Sequence, residues 1–302
     1  MLAITQEFKE RVVKAILESR ERYSGSDAQY ASVLGMNKSV YSQLKNGASV
    51  ERLLSDAKLL MIGRKLNVQA TERSWKFART IVFERIEEEV LFCKEFSKSR
   101  IFVDKCAIGK TYSAKILAQK LENCFYVDAS QAKTERAFAR LLAQTIGADT
   151  TGTIADIKES IKYFLNSMPA PVVIIDEAGD LQQTAFIALK EYWNATDGRC
   201  GWFLMGAEGF RLKLMKGTSK AKESYKEIFS RFSDRFSSIV PVNEAQRIDF
   251  YRRLLSDVLK ANMADSDQLN RIVNRCLSSD QKEGELSGLR RAESLLILEN
   301  MK

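Results

Sequence analysis

The sequence predicts an α/β protein: a core built on a five-stranded parallel sheet, an all-α helix-turn-helix unit ahead of it and a small helical lid behind. Three observations carry that expectation. From Arg100 onward, short apolar runs alternate with helical stretches, as in a parallel sheet buried on both faces. Prolines number only three, Pro169, Pro171 and Pro241, so few helices are interrupted. The segment Ser26–Gly47 reads as two short helices joined at a glycine.

The strand-like runs are IFVD (101–104), CFYVDA (124–129), PVVIIDE (171–177), GWFLMG (201–206) and SSIVPV (237–242). Helical stretches fall at 111–121, 133–146, 153–168 and 180–194. A chain of 302 residues exceeds one ordinary core. The pattern divides it into a head over 1–66, a helical connector over 67–98, a strand–helix core over 99–243 and a helical lid over 244–302.

Composition removes whole classes of chemistry. With 45% hydrophobic and 28% charged residues the chain reads as soluble and globular. It has no histidine, which excludes Ser-His-Asp and Cys-His catalysis and His-ligated zinc. The five cysteines are scattered singly, with no C-x-x-C pair, so a reducing compartment is expected. The opening MLAITQEFKERVVKAIL lacks a signal-peptide apolar run, and no stretch of about 18 apolar residues occurs. A cytoplasmic protein with no membrane partner follows as the expectation. The net charge of +8 permits a polyanion partner. Residues 211–235 hold 8 basic against 3 acidic side chains, so contact is sought there and in the first 70 residues.

In the head, Ser26 or Asp27 caps a helix whose apolar face uses Ala28, Ala31 and Val33. Gly35 allows the turn, Asn37 caps the next helix, and Val40, Tyr41 and Leu44 face inward. The second helix displays Asn37, Lys38, Ser39, Ser42, Gln43 and Lys45, side chains of the kind that reach base edges and phosphates. Its spacing resembles the lambda-repressor type of module, with a plain helical hairpin for protein contacts as the alternative. In the connector, Trp75, Phe77, Phe83 and Phe92 are read as packing, and Glu87-Glu88-Glu89 as a solvated face.

The first strand of the core runs into Asp104-Lys105-Cys106-Ala107-Ile108-Gly109-Lys110-Thr111. This is the phosphate-loop pattern G-x-x-x-x-G-K-[ST] between a strand and a helix, with Asp104 in place of the first glycine. Backbone N–H groups from Lys105 to Tyr112 suit phosphate oxygens. Lys110 neutralises the outer phosphates, and the Thr111 hydroxyl joins a magnesium shell. Asp104 brings a negative charge near the phosphates, which Lys105 partly offsets. The second element is Val172-Val173-Ile174-Ile175-Asp176-Glu177. Asp176 is placed to hold the metal, and Glu177 to polarise the attacking water. A buried strand with an acidic edge is the bland alternative.

With these residues the chain resembles the AAA+ ATPases, and within them the transposition regulators of the phage Mu B type. The resemblance rests on the helix-turn-helix (26–47), the phosphate loop (104–111) and the Asp-Glu strand (172–177). It adds Phe203-Leu204-Met205-Gly206, the run from Phe229 to Phe236, and Gly288-Leu289-Arg290-Arg291. It implies ATP and Mg2+ as cofactors and a slow ATPase stimulated by DNA or a partner. Arg290 is implied as the lid arginine that contacts nucleotide. Arg231 or Arg235 is implied to reach a neighbouring subunit's phosphate. A polar phosphate sensor is expected after the fourth strand, where this chain carries Ala207 and Glu208. The resemblance further implies homo-oligomers, as filaments or rings, on double-stranded DNA, and delivery of that DNA to a transposase. In that picture the run 209–227 is a mobile loop whose Arg211, Lys213, Lys216, Lys220 and Lys222 neutralise DNA phosphates; a solvated basic loop is the alternative. The competing function is a nucleotide-gated transcriptional regulator that reads one operator.

Overall fold

A computed structural model of the chain describes residues 4–66, 68, 75–219, 223–232, 235–263, 266–278 and 288–300. The chain opens with α1 (Gln6–Arg20), α2 (Asp27–Val33), α3 (Lys38–Lys45), α4 (Val50–Leu53) and α5 (Asp56–Lys65). Helix α6 (Ile81–Phe96) leads into the sheet. There β1 (Ser99–Val103), α7 (Lys110–Lys120), β2 (Cys124–Asp128), α8 (Glu135–Ile146), α9 (Ile154–Ser167), β3 (Val172–Asp176), α10 (Gln183–Ala195) and β4 (Gly201–Gly206) alternate. Helices α11 (Glu208–Ser219) and α12 (Glu223–Arg231) precede β5 (Phe236–Ser237). The chain continues through α13 (Glu244–Asn262), α14 (Ser266–Leu277) and α15 (Leu289–Asn300).

The five strands are all parallel, in the order β2-β3-β4-β1-β5. Every residue of β3 and β4 is buried, because side chains of period two meet a helical layer on each face. Ile101, Val103, Val173, Ile175 and Leu204 pack with Phe138 and Leu142 of α8 and Ile161 of α9. Their neighbours Phe102, Ile174, Phe203 and Met205 pack with Val82 and Ile86 of α6 and Leu117 of α7. Leu255, Leu259, Ile272, Val273, Ala292 and Leu295 form a separate cluster among α13, α14 and α15.

The head shares the core's apolar layer. Phe8, Val12 and Ile16 of α1, Tyr30 of α2 and Tyr41 of α3 belong to the same cluster as the α8 face of the sheet. Polar bonds run along the seam. The Tyr23 hydroxyl donates to the Ile146 carbonyl at 2.9 Å. The Asn123 side-chain oxygen accepts from the Ser24 hydroxyl at 2.7 Å, and its amide donates to the Pro169 carbonyl at 2.9 Å. Ser26 caps α2 in a capping box with Gln29, and Gly35 takes φ +69° in the turn before α3.

Several sequence expectations change. Ala28 is exposed, and Tyr30 takes the inward position on α2. Asn37 sits at the start of α3 without a side-chain capping bond. Glu89 is buried rather than solvated: Arg85 and Arg100 hold its carboxylate at 2.8 and 2.7 Å, and the Ser237 hydroxyl donates to it. It joins α6, β1 and β5. The fifth strand is Phe236–Ser237, not 237–242, since its pairing with β1 involves only Ile101 and Phe102. The segment 209–227 is not a loop over its described part: α11 and α12 pack on each other, with Gly217 against the Tyr225 ring. No helix among the described residues is long and apolar enough to cross a membrane.

Candidate functional site

The site forms beyond the carboxyl ends of the strands, where α/β sheets bind ligands. The turn from β1 to α7 passes through Ala107 at φ +57° and Gly109 at φ +99°. Gly109 stands directly before α7, so a side-chain-free residue meets the left-handed turn that aims the helix N-terminus into the cavity. The Lys110 ammonium donates to the carbonyls of Asp104 and Lys105 at 2.8 and 2.6 Å, holding the loop curled around it. Burial pulls the Lys110 pKa below the usual lysine range.

Asp104 answers the concern its charge raised. Its carboxylate accepts from the backbone N–H of Ile239 and Val240 at 2.5 and 3.0 Å, and from Lys105 N–H at 2.8 Å. The negative charge is thus met by three backbone donors. Two of them lie just ahead of α13, so the phosphate loop is tied to the segment that starts the lid.

Across the cleft, Thr111 Oγ1 donates to Asp176 Oδ2 at 2.7 Å. The same oxygen accepts from the Tyr126 hydroxyl at 3.0 Å, while Asp176 Oδ1 accepts from Glu177 N–H. Burial and the adjacent Asp176 charge push the Tyr126 phenol pKa upward, keeping it a donor. A threonine hydroxyl beside a carboxylate oxygen is a hard-oxygen pair that fits Mg2+, which takes one or two protein oxygens and keeps phosphate and water for the rest. Among the described residues there is no group of three or more Cys, Asp and Glu able to hold a metal unaided. Glu177 sits at φ +49° immediately after β3. Burial, then the neighbouring Asp176 charge, raise its pKa above the usual carboxylate range.

The start of α15 meets the loop. Leu289 N–H donates to the Ala107 carbonyl at 2.8 Å, and a Cβ on Gly288 would lie 2.4 Å from that carbonyl oxygen. Together these elements enclose a cavity of about 810 Å3. Lys110, Thr111, Glu177, Ala207 and Arg290 all line it. Cys106, Ala107, Ile108, Gly109 and Tyr112 line it as well, so the predicted loop residues converge on one space. Lys105 is exposed beside the loop, with its carbonyl engaged by Lys110.

The other predicted residues are elsewhere. Lys38, Ser39, Gln43 and Lys45 are exposed on α3, and Lys45 pairs with Asp27 at 3.2 Å. Arg211 lies over the Phe236 ring with its guanidinium donating to the Val103 carbonyl at 3.5 Å. The Lys213 ammonium donates to the Gly179 and Leu181 carbonyls and sits over the Phe186 ring. Both cations are turned into the fold rather than presented on a loop. Lys216 is exposed; Lys220 and Lys222 lie outside the described residues. Arg231 donates to Asn194 Oδ1 at 2.9 Å, pairs with Glu227 and lies over the Trp193 ring. Arg235 is exposed and makes no ion pair among the described residues. Sequence reasoning missed several lining or bonding residues. For Tyr126 the signal was a hydroxyl two positions ahead of the strand-end Asp128. The connector aromatics Trp75 and Phe77 line the cavity instead of serving packing alone. Arg11 of α1 also lines it, with no local signal.

A family model described as an AAA domain matches residues 107–214, from the phosphate loop into α11. A comparison with curated proteins finds no match. The match and the five-stranded parallel sheet make the core an AAA-like phosphate-loop fold. An AAA ATPase domain implies nucleotide binding, usually with Mg2+.

Proposed function

We propose that this chain is a DNA-binding ATPase that assembles as homo-oligomers on double-stranded DNA, with little sequence preference, and delivers that DNA to a transposase. The observation that carries the ATPase part is the contact of Thr111 Oγ1 with Asp176 Oδ2 at 2.7 Å, with Lys110 and Glu177 on the same cavity. In this reading the head (1–66) contacts DNA, the connector (67–98) joins it to the core (99–243), and the lid (244–302) closes over nucleotide.

Each residue has a defined task. The Lys110 ammonium leaves its two carbonyl partners for the outer phosphate oxygens, a charge-assisted contact stronger than the neutral ones it replaces. Loop and helix N–H groups bind the remaining oxygens. Thr111 and Asp176 hold Mg2+, which, when bound, supplies positive charge beside the phosphates. Glu177 accepts a proton from the attacking water, for which its raised pKa suits it. Arg290 reaches the nucleotide from the lid. Arg235, exposed and with no ion pair among the described residues, is better placed than Arg231 to reach a neighbouring subunit. That contact makes hydrolysis depend on assembly.

DNA contact rests on Lys38, Ser39, Gln43 and Lys45, which share the exposed surface of α3, with Lys216 a further exposed cation. Electron microscopy of the purified chain with duplex DNA, with and without ATP, tests the proposal. Continuous ATP-dependent coverage supports it, whereas salt-sensitive binding that is equal without nucleotide removes the coupling. A nucleotide-gated transcriptional regulator is the second reading. It is favoured by the inward placement of Arg211 and Lys213, which leaves α3 with most of the candidate DNA-contact side chains that stay exposed. Footprinting separates the two: one protected site supports the regulator.

A further inference from the structure

The cavity of about 810 Å3 is large enough for a whole nucleotide, not only its phosphates. Part of its wall comes from outside the AAA-like core. Arg11 of α1 and Val68, just past α5, both line it.

Several contacts locate that wall. The Leu66 carbonyl accepts from Gln119 Nε2 of α7 at 2.8 Å. Gln119 lies about 12 Å along the α7 axis from Thr111, at roughly 1.5 Å per residue. A Cβ on Gly63 would meet both the Phe8 ring and the Val68 carbonyl, and Arg11 follows Phe8 by one turn of α1. The head therefore borders the cavity away from the phosphate end. Aromatic rings occupy the same region: Phe77 stacks on Tyr112 with centroids 6.3 Å apart, and Trp75 lines the cavity beside them. Such rings offer faces to a nucleobase. A guanidinium either stacks on a planar ring or donates to ring-nitrogen and ribose oxygen acceptors.

We infer that Arg11, carried by the head, is a specificity-determining residue that contacts the base or ribose end of a bound nucleoside triphosphate, so that the head senses nucleotide occupancy. The inference rests on the nucleotide-site reading above and deepens it. Arg11 is rigidly linked to the DNA-facing helices. Val12 and Ile16 on the same helix are fully buried with Tyr30 and Tyr41, and the Tyr30 hydroxyl donates to the Ile16 carbonyl at 2.7 Å. If nucleotide contact at Arg11 alters the affinity of the head for a partner, by reciprocity that partner changes nucleotide affinity by the same factor.

Calorimetry on the full chain tests this with two probes, ATP and inorganic tripolyphosphate, each with Mg2+. Tripolyphosphate shares the phosphate contacts and lacks base and ribose. For Arg11→Ala, ATP affinity falls about tenfold, as expected for one lost charge-assisted contact, while tripolyphosphate affinity is unchanged. Arg11→Lys, which keeps the charge without the planar fork, falls between. Unchanged ATP affinity in Arg11→Ala overturns the inference. So does an equal loss for both probes, which marks Arg11 as structural or phosphate-binding. A wild-type chain that binds both probes equally refutes the base-end contact and leaves the phosphate site standing; one that binds neither removes the nucleotide site itself.

Discussion

Asp104 occupies the position where the phosphate-loop pattern has glycine, and its surroundings decide what that costs. Removing its carboxylate leaves the Ile239 and Val240 N–H groups without their acceptor. Asp104→Ala therefore loses about 1–3 kcal/mol, read as a lowered midpoint in denaturant unfolding. Asp104→Asn keeps one acceptor oxygen and loses less. On the proposed reading Glu177 is the general base. Glu177→Gln lowers phosphate release by roughly 10²–10⁴-fold with ATP binding preserved; release at the wild-type rate would take the role from Glu177. Its carboxylate works deprotonated and its pKa is raised. The rate is therefore full above that raised value and is lost as pH falls through it, beginning at a higher pH than for an ordinary glutamate. A pH–rate profile checks the direction. The residues that hold this site were legible because they follow one another along two short segments. Tyr126 and Arg11 were not, because only the folded chain brings β2 and α1 to the same cavity.

Elements whose own sequence contains their start and stop match expectation in extent. Helix α2 has its capping serine and α3 buries Tyr41 and Leu44, although Tyr30 replaces Ala28 on the buried face of α2 and Asn37 makes no capping bond. Elements defined by partners do not. The fifth strand depends on how much of β1 remains to pair with it, and that is two residues. The basic run after β4 reads as a polar loop by its Gly-Thr-Ser. It becomes α11 and α12 because Leu214, Tyr225 and Ile228 find the sheet's apolar layer. The seam between head and core is likewise tertiary. Tyr23→Phe leaves the buried Ile146 carbonyl without its donor at a cost of about 1 kcal/mol. Differential scanning calorimetry then shows a lower melting temperature; an unchanged one means the seam contributes nothing through that bond. On α3, replacing Lys38, Gln43 and Lys45 together by alanine weakens duplex binding and flattens its salt dependence, since two cations leave the contact. An unaltered slope in an anisotropy titration would place DNA elsewhere.

Over the whole molecule, the proposed assembly has one subunit supply a cation to its neighbour's phosphates, and on that reading Arg235 is the exposed candidate. Arg235→Ala keeps ATP binding but loses the rise of ATPase rate with protein concentration; a rise equal to wild type would show that the residue does not act between subunits. The sequence by itself determined the strand–helix alternation, the phosphate loop and the Asp-Glu strand. Those features are written in neighbouring residues, whose periodicity and backbone preferences act locally. Only the tertiary structure decided that Asp104 binds the backbone ahead of the lid, that Glu89 is a buried bridge, that Lys213 faces inward and that the head walls the cavity. Each of those depends on groups far apart in the chain, which meet only when apolar burial brings their elements together.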